Sequence, residues 1–315
     1  MLNGIAIALA WPDTYCKKAG AWYDTPAEWL KISNGNYYKV GHAALVLIEK
    51  STGLCHYFDF GRYHSPHLHG RVRSAHTDHD LELNIRALFD DEGKLSNYED
   101  ILWELYNNES CHGTGKLHAS YIDINFEKAF NKAREMQSAS PTVYGPFVPG
   151  GTNCSRFVNT VIVAGSPKWY YRMRLKYPTT ISPTPKGNVK TLKHYSVVGE
   201  DGVLISHHGA PRKGGLLPKI VPAPTKPQNL PENIHWLSGE GCGSWFYLNQ
   251  EMDGIDIQRF SPDGKLECRG IFHQVSGPPF NIHEPFEVTY PSHCAEVHLI
   301  QNEFKVILRI LSKKG

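Results

Sequence analysis

A thiol that follows a sharp glycine turn and opens a helix stands where sulfur chemistry is easiest. Cys154 has that place in "GGTNCSRFVNTVIVAG", residues 150–165. Thr152 reads as the N-cap, which puts Cys154 in the first helical turn, at about N2. Backbone N–H groups there have no intrahelical partner, and the helix dipole favours negative charge, so a thiolate is stabilised. The same N–H groups can receive an oxyanion once sulfur has attacked a carbonyl. Such a nucleophile needs a base. His42, in "YKVGHAALVLIE", follows a glycine and starts a strongly apolar strand, so rigid structure would hold its ring. The base in turn needs a partner on its other ring nitrogen. With a hairpin turn near Ser51–Thr52, position 44 pairs with 59, and His42 and Asp59 project from one face as diagonal neighbours. A one-residue slip presents His56 instead. Each residue also has an ordinary reading: core filler for Cys154, packing for His42, a salt bridge to Arg62 for Asp59.

Other residues are expected around this centre in lesser roles. "WPDTYCKKAGAWYD" (11–24) reads as an aromatic loop, with Trp11, Trp22 and Tyr23 as walls of a substrate cleft. Tyr144 is a second oxyanion donor. Arg71 and Arg73 could position an anionic substrate. "HSPHLHGRVRSAHTDHDLE" (64–82) holds His64, His67, His69, His76, Asp78, His79 and Asp80, which are metal-ligand types. Their spacing matches no metal motif, so the stretch reads as a polar loop, and no metal or cofactor is expected.

The elements that must position these residues follow from periodicity. Residues 4–10 read as a strand, and 42–63 as a hairpin turning around Ser51–Gly53. Residues 97–108 and 125–137 show apolar spacing of helices, with Asn97 a cap for the first and Phe126, Ala129, Phe130 and Ala133 forming a face of the second. Phe157, Val158, Val161 and Ile162 line one face of the helix that Cys154 opens, and Gly165 is a natural C′ residue. Residues 205–232 are rich in Pro, Gly and Lys and read as a connection. Beyond them, short β-branched and aromatic runs are joined by turns at "PDG" (262–264) and "QNE" (301–303). The expected fold class is α+β: an antiparallel sheet with packed helices over 1–190, a connection over 191–232, and a small antiparallel, barrel-like β domain over 233–315.

Composition bounds the function. The 33 basic and 31 acidic residues give a net charge of +2, which offers no electrostatic case for nucleic acid. The seven cysteines are widely spaced and form no CxxC, so free thiols in a reducing compartment are expected. "IAIALAW" is too short for a membrane span and lacks the flanks of a signal peptide, which makes a cytoplasmic protein the default expectation. Oligomeric state leaves no trace in the sequence.

"NCSRFV" (153–158) resembles the helix start of the circularly permuted NlpC-type thiol hydrolases, the papain-like group that includes lecithin retinol acyltransferase. "GHAALVL" (41–47) is similar to their histidine strand. The order, His42 before Cys154, fits the permuted branch. The resemblance covers roughly residues 1–175, and the whole chain looks like a bacterial family in which such a domain precedes a β-rich module. It implies hydrolysis or transfer of an acyl group through a thioester on Cys154, with a small peptide or acyl conjugate as substrate. The rival expectation is an inactive papain-like scaffold with a β-rich interaction module.

Overall fold

The computed structural model describes residues 1–17, 33–34, 37–38, 41–199 and 219–313. In chain order the principal strands are β1 (Gly4–Trp11), β2 (His42–Glu49), β3 (Cys55–Gly61), β4 (His69–Arg73), β5 (Leu117–Ile124), β6 (Thr142–Val143), β7 (Lys193–Val198), β8 (Ile234–Leu237), β9 (Ser244–Glu251), β10 (Gly254–Phe260), β11 (Leu266–Ser276), β12 (Glu287–His293), β13 (Glu296–Gln301) and β14 (Phe304–Lys313). The α-helices are α1 (Tyr98–Asn107), α2 (Phe126–Ser138), α3 (Cys154–Ala164), α4 (Trp169–Lys176) and α5 (Pro185–Thr191). They fall into two compact units. The first is Met1–Phe60, Leu81–Ala139 and Gly145–Leu217; the second is Gly61–Asp80, Ser140–Tyr144 and Pro218–Gly315.

In the first unit, antiparallel strands run in the order β7-β5-β1-β2-β3. The sequence of β1, "GIAIALAW", shows why two helical layers can cover it. Ile5, Ile7, Leu9 and Trp11 point to one face, where they pack with Ile101, Leu102 and Leu105 of α1. Burying each such side chain contributes about 1.5–3 kcal/mol. Ala6, Ala8 and Ala10 alternate to the other face, opposite Leu47, Leu45 and Ala43 of β2. Small side chains let helix backbones come close, and α5 packs on β1 while α3 packs on β2. Gly165 caps α3 with φ −63°, not in the left-handed conformation expected of a C′ glycine. Its smallness is needed for space, since a Cβ there would lie 3.0 Å from Ile124 Cβ and 3.1 Å from Ala129 Cβ.

In the second unit a seven-stranded antiparallel sheet has the order β8-β9-β10-β11-β14-β13-β12. Its end strands β8 and β12 also approach one another, so the sheet is nearly closed and barrel-like. Phe246, Leu248, Phe272, Val297, Leu299, Val306 and Leu308 fill its core. The expected turns form: Gly264 has φ +87°, and Asn302 and Glu303 have φ 48° and 67°, the twist a tight hairpin demands. The α+β fold class is therefore as expected, sheet with helices and a separate β barrel.

The expectation of free thiols needs correction. Cys268 and Cys294 form a disulfide with Cα atoms 6.0 Å apart. Sequence spacing conceals the pairing, because the turn between β12 and β13 is brought beside β11 only by the folded sheet.

Candidate active site

The turn before α3 and the start of β2 converge at Cys154. Asn153 is the N-cap, its side chain accepting from Arg156 N at 2.9 Å, so Cys154 is the first helical residue. This corrects the reading of Thr152 as cap. Asn153 has the extended backbone that capping requires (φ −140°, ψ 176°). Arg156 ties the helix back to the preceding loop, donating from Nη1 to Pro146 O at 2.5 Å. Gly41, at φ +75°, sits where a Cβ would lie 3.0 Å from Trp11 O, so the chain can enter β2 beside β1 only with glycine there.

The hairpin adopts the register in which Ala44 opposes Asp59. His42 Nε2 consequently lies 3.4 Å from Asp59 Oδ2, an ion-pair distance longer and less aligned than a good hydrogen bond. With Nε2 facing Asp59, Nδ1 is the nitrogen left for the thiol, and the Cys154 side chain hydrogen-bonds the His42 ring. The backbone N–H of Ala43 also reaches the sulfur. Asp59 is fully buried and accepts from Tyr57 Oη at 3.1 Å. Tyr57 is two residues before Asp59, on the same strand face, and sequence reasoning missed it.

Burial acts against charge at both members of the pair. It would lower His42, but the Asp59 carboxylate and the facing thiol outweigh it and raise the pKa to about 9. Burial would raise Cys154, but the His42 hydrogen bond and charge outweigh it and lower the thiol. Both shifts favour a thiolate facing an imidazolium.

A second layer holds the helix start in place. Asn188 of α5 donates from Nδ2 to Ser155 O at 2.8 Å, and its Oδ1 accepts from Asn159 Nδ2 at 3.2 Å. Asn159 Nδ2 also reaches Leu175 O at 3.0 Å. All of these groups are buried. The sequence signal for them was slight: two asparagines in otherwise ordinary helical runs.

The remaining expected site residues are placed differently. His56 pairs with Leu47 on the opposite face of the hairpin from His42 and packs on Phe126 and Phe130, so it orients nothing at the thiol. Trp11 is not on a loop. It ends β1, is 2% exposed, and stacks on the His42 ring with centroids 5.8 Å apart. Its ring is packed against the imidazole and is closed off from solvent. Trp22 and Tyr23 lie outside the described residues. Tyr144, Arg71 and Arg73 belong to the second unit. The Tyr144 ring lies under the Arg62 guanidinium at 4.7 Å, in place of the expected oxyanion role. Arg71 forms a two-pronged pair with Asp78, at 2.7 and 2.6 Å, and Arg73 stacks on Tyr63 at 3.5 Å. Both are buried in these contacts, which corrects their assignment to an anionic substrate.

The second unit holds another cysteine beside a histidine. Cys242 Sγ is 3.6 Å from His64 Nε2, and Ser244 Oγ is 2.6 Å from the same nitrogen. Arg71 Nη2 lies 3.2 Å from His64 Nδ1. Arginine only donates, so Nδ1 accepts and Nε2 carries the proton. Ser244 accepts that proton and donates its own to Glu267 Oε2 at 3.0 Å, and Glu267 is paired with Arg259 at 2.7 Å. Every proton points away from nucleophile activation. Burial followed by the Arg259 and Arg71 charges holds His64 well below its ordinary range, and burial pushes Cys242 up to about 12. Among the described residues, one group of metal-ligand types converges: His79 with Cys268 and Cys294, ligand atoms within 4.8 Å. Its two sulfurs are bonded to each other, which removes both thiolates.

A helix-start thiol beside a strand histidine backed by a carboxylate is the arrangement that papain-like hydrolases use. Residues 6–170 match the family model described as type VI secretion system effector TseH-like, and the chain belongs to that family. Residues 234–311 match the DUF6695 C-terminal domain. A solved structure, the crystal structure of the type VI secretion system effector TseH, is 20% identical, with 62% of this chain and 98% of that chain covered and a TM-score of 0.39. No curated protein matches the chain.

Proposed function

We propose that this chain is a cysteine hydrolase that cleaves an amide, ester or thioester bond through a thioacyl intermediate on Cys154. One observation carries the reading: the His42 ring stands between the Cys154 thiol and the buried Asp59 carboxylate. The thiolate attacks the carbonyl carbon, and the oxyanion is received by backbone N–H groups at the start of α3. His42, as imidazolium, gives its proton to the leaving amine, alcohol or thiol as the carbon–heteroatom bond breaks. Water then attacks the thioacyl carbon, His42 takes its proton, and the carbon–sulfur bond breaks to release the acid and restore the thiolate facing the imidazolium. Asp59 orients the ring, and Tyr57 fixes Asp59. The order of His42 before Cys154 supports the circularly permuted form of the fold.

The family's description as secretion effectors favours a substrate met outside the producing cytoplasm, such as a small cell-wall peptide. The Cys268–Cys294 disulfide supports residence in an oxidising compartment after delivery. The test is incubation of the purified chain with cell-wall peptide fragments and with simple acyl esters, products being read by mass spectrometry. Hydrolysis that disappears in Cys154→Ala is expected. Hydrolysis undiminished in that variant overturns the reading.

A further inference from the structure

Helix α4 carries a surface that the thiol chemistry does not use. Tyr171 and Leu175, four residues apart, are its buried anchors. At 3.6 residues per turn, Trp169, Met173 and Tyr177 fall on the opposite side. They are 76%, 46% and 72% exposed, and Ile181 just beyond is 94% exposed. Lone apolar side chains on a surface are ordinary, but an aromatic stripe aimed directly away from the protein body is not. Lys168, Arg172, Arg174 and Lys176 flank the stripe and are all exposed.

The charge around this helix is one-sided. Residues 136–199 contain eight Lys and Arg and no Asp or Glu, in a chain whose totals are 33 and 31. The cations therefore have no acidic neighbours in sequence, and the excess belongs to this region of the first unit rather than to the protein as a whole.

We propose that α4 docks the protein onto an anionic lipid bilayer. Trp and Tyr have the amphipathic rings that settle at headgroup depth, and Met173 and Ile181 would be buried just below. The flanking Lys and Arg stems lie along the apolar zone with their charges at lipid phosphates. A nucleic acid would satisfy the cations but would leave Met173 and Ile181 without gain. Because α4 packs on α3 within the same unit, docking would bring the Cys154 unit to the membrane surface. The proposal is independent of the thiol reaction.

The experiment is co-sedimentation of the full chain, as the Cys154→Ala variant, with vesicles of phosphatidylglycerol and phosphatidylethanolamine or of phosphatidylcholine alone. Binding to the anionic vesicles is expected to weaken as salt rises, with little binding to phosphatidylcholine. Joint replacement of Trp169, Met173 and Tyr177 by Ser should weaken partitioning roughly tenfold or more, as loss of buried apolar area implies. Arg172→Glu with Arg174→Glu should do likewise. Brominated lipid should quench part of the tryptophan emission, and Trp169→Phe should remove that part. All these side chains are exposed, so urea midpoints should hardly move, and that measurement guards against misfolding. Absence of partitioning, equal partitioning of the triple Ser variant, or binding to DNA without bromolipid quenching overturns the proposal.

Discussion

Each unit sets a cysteine against a buried histidine, and the two pairs behave in opposite ways. In the first unit, the group behind His42 is a carboxylate, Asp59, and His42 is raised while Cys154 is lowered. In the second, the group behind His64 is a guanidinium, Arg71, and His64 is lowered while Cys242 is raised to about 12. Burial and proximity are common to both. Burial lowers both histidines; the Asp59 carboxylate reverses that at His42, whereas the Arg259 and Arg71 guanidiniums add to it at His64, and Cys242 is raised by burial against the lowering by Arg71. A cysteine near a histidine is thus weak evidence of a nucleophile until the histidine's other neighbour is known.

The largest effect separates the two cysteines. Cys154→Ala is expected to reduce hydrolysis by roughly 10⁴-fold, as loss of a catalytic-triad member does, while Cys242→Ala leaves it nearly unchanged. With substoichiometric iodoacetamide at pH 6.5, peptide mapping should find Cys154 labelled first and Cys242 among the last. Equal labelling of the two would break the comparison.

The next effect concerns stability. Arg71→Ala removes the two-pronged partner of buried Asp78, which keeps Arg259 Nη2 at 3.1 Å and Thr77 Oγ1 at 2.8 Å, and should cost about 3 kcal/mol in urea unfolding, the lower end for a broken buried pair. A loss near zero would mean that the pair is solvated and that His64 is not governed by it.

Asp59→Asn keeps the shape and removes the charge. It should slow Cys154 alkylation at pH 6.5 by roughly tenfold for each unit by which the thiol pKa rises. Unchanged labelling would assign the lowered thiol to His42 and the helix start without help from Asp59. The pH profile sharpens the same point. His42, raised to about 9, keeps its proton through neutral pH. Its charged form stabilises the fold fully below the ordinary histidine pKa, and that contribution is lost as pH rises through about 9. Hydrolysis should fall over the same alkaline range, since the proton for the leaving group is gone. On the acid side it should fall as the thiolate takes up a proton, below the range of an ordinary thiol.

The smallest effect belongs to Tyr57→Phe. It removes one hydrogen bond of about 1 kcal/mol from Asp59 and should lower hydrolysis only a few-fold, with Cys154 still the first thiol labelled. A loss as large as that of Asp59→Asn would give Tyr57 a larger part in holding the carboxylate.

Local pattern in the sequence suffices for the helix that Cys154 opens and the apolar strand that His42 starts, and it favours the hairpin register of the fold over the one-residue slip that presents His56. These are local matters: the apolar period, the glycine at 41 and the turn at 51–53 each act over a few residues. Opposing Ala44 to Asp59 follows from the turn, and the face shared by His42 and Asp59 follows from alternation. Folding, by contrast, placed Cys242 and Ser244 against His64, partners that lie far from it in sequence. It also decided that Trp11 is buried against His42, that Arg71 and Arg73 are structural, and that Cys268 meets Cys294. Residue type and spacing state what a side chain can do. The charge facing it across the folded core fixes which of those things it does, because a buried charge is stabilised or penalised by its immediate neighbours rather than by water.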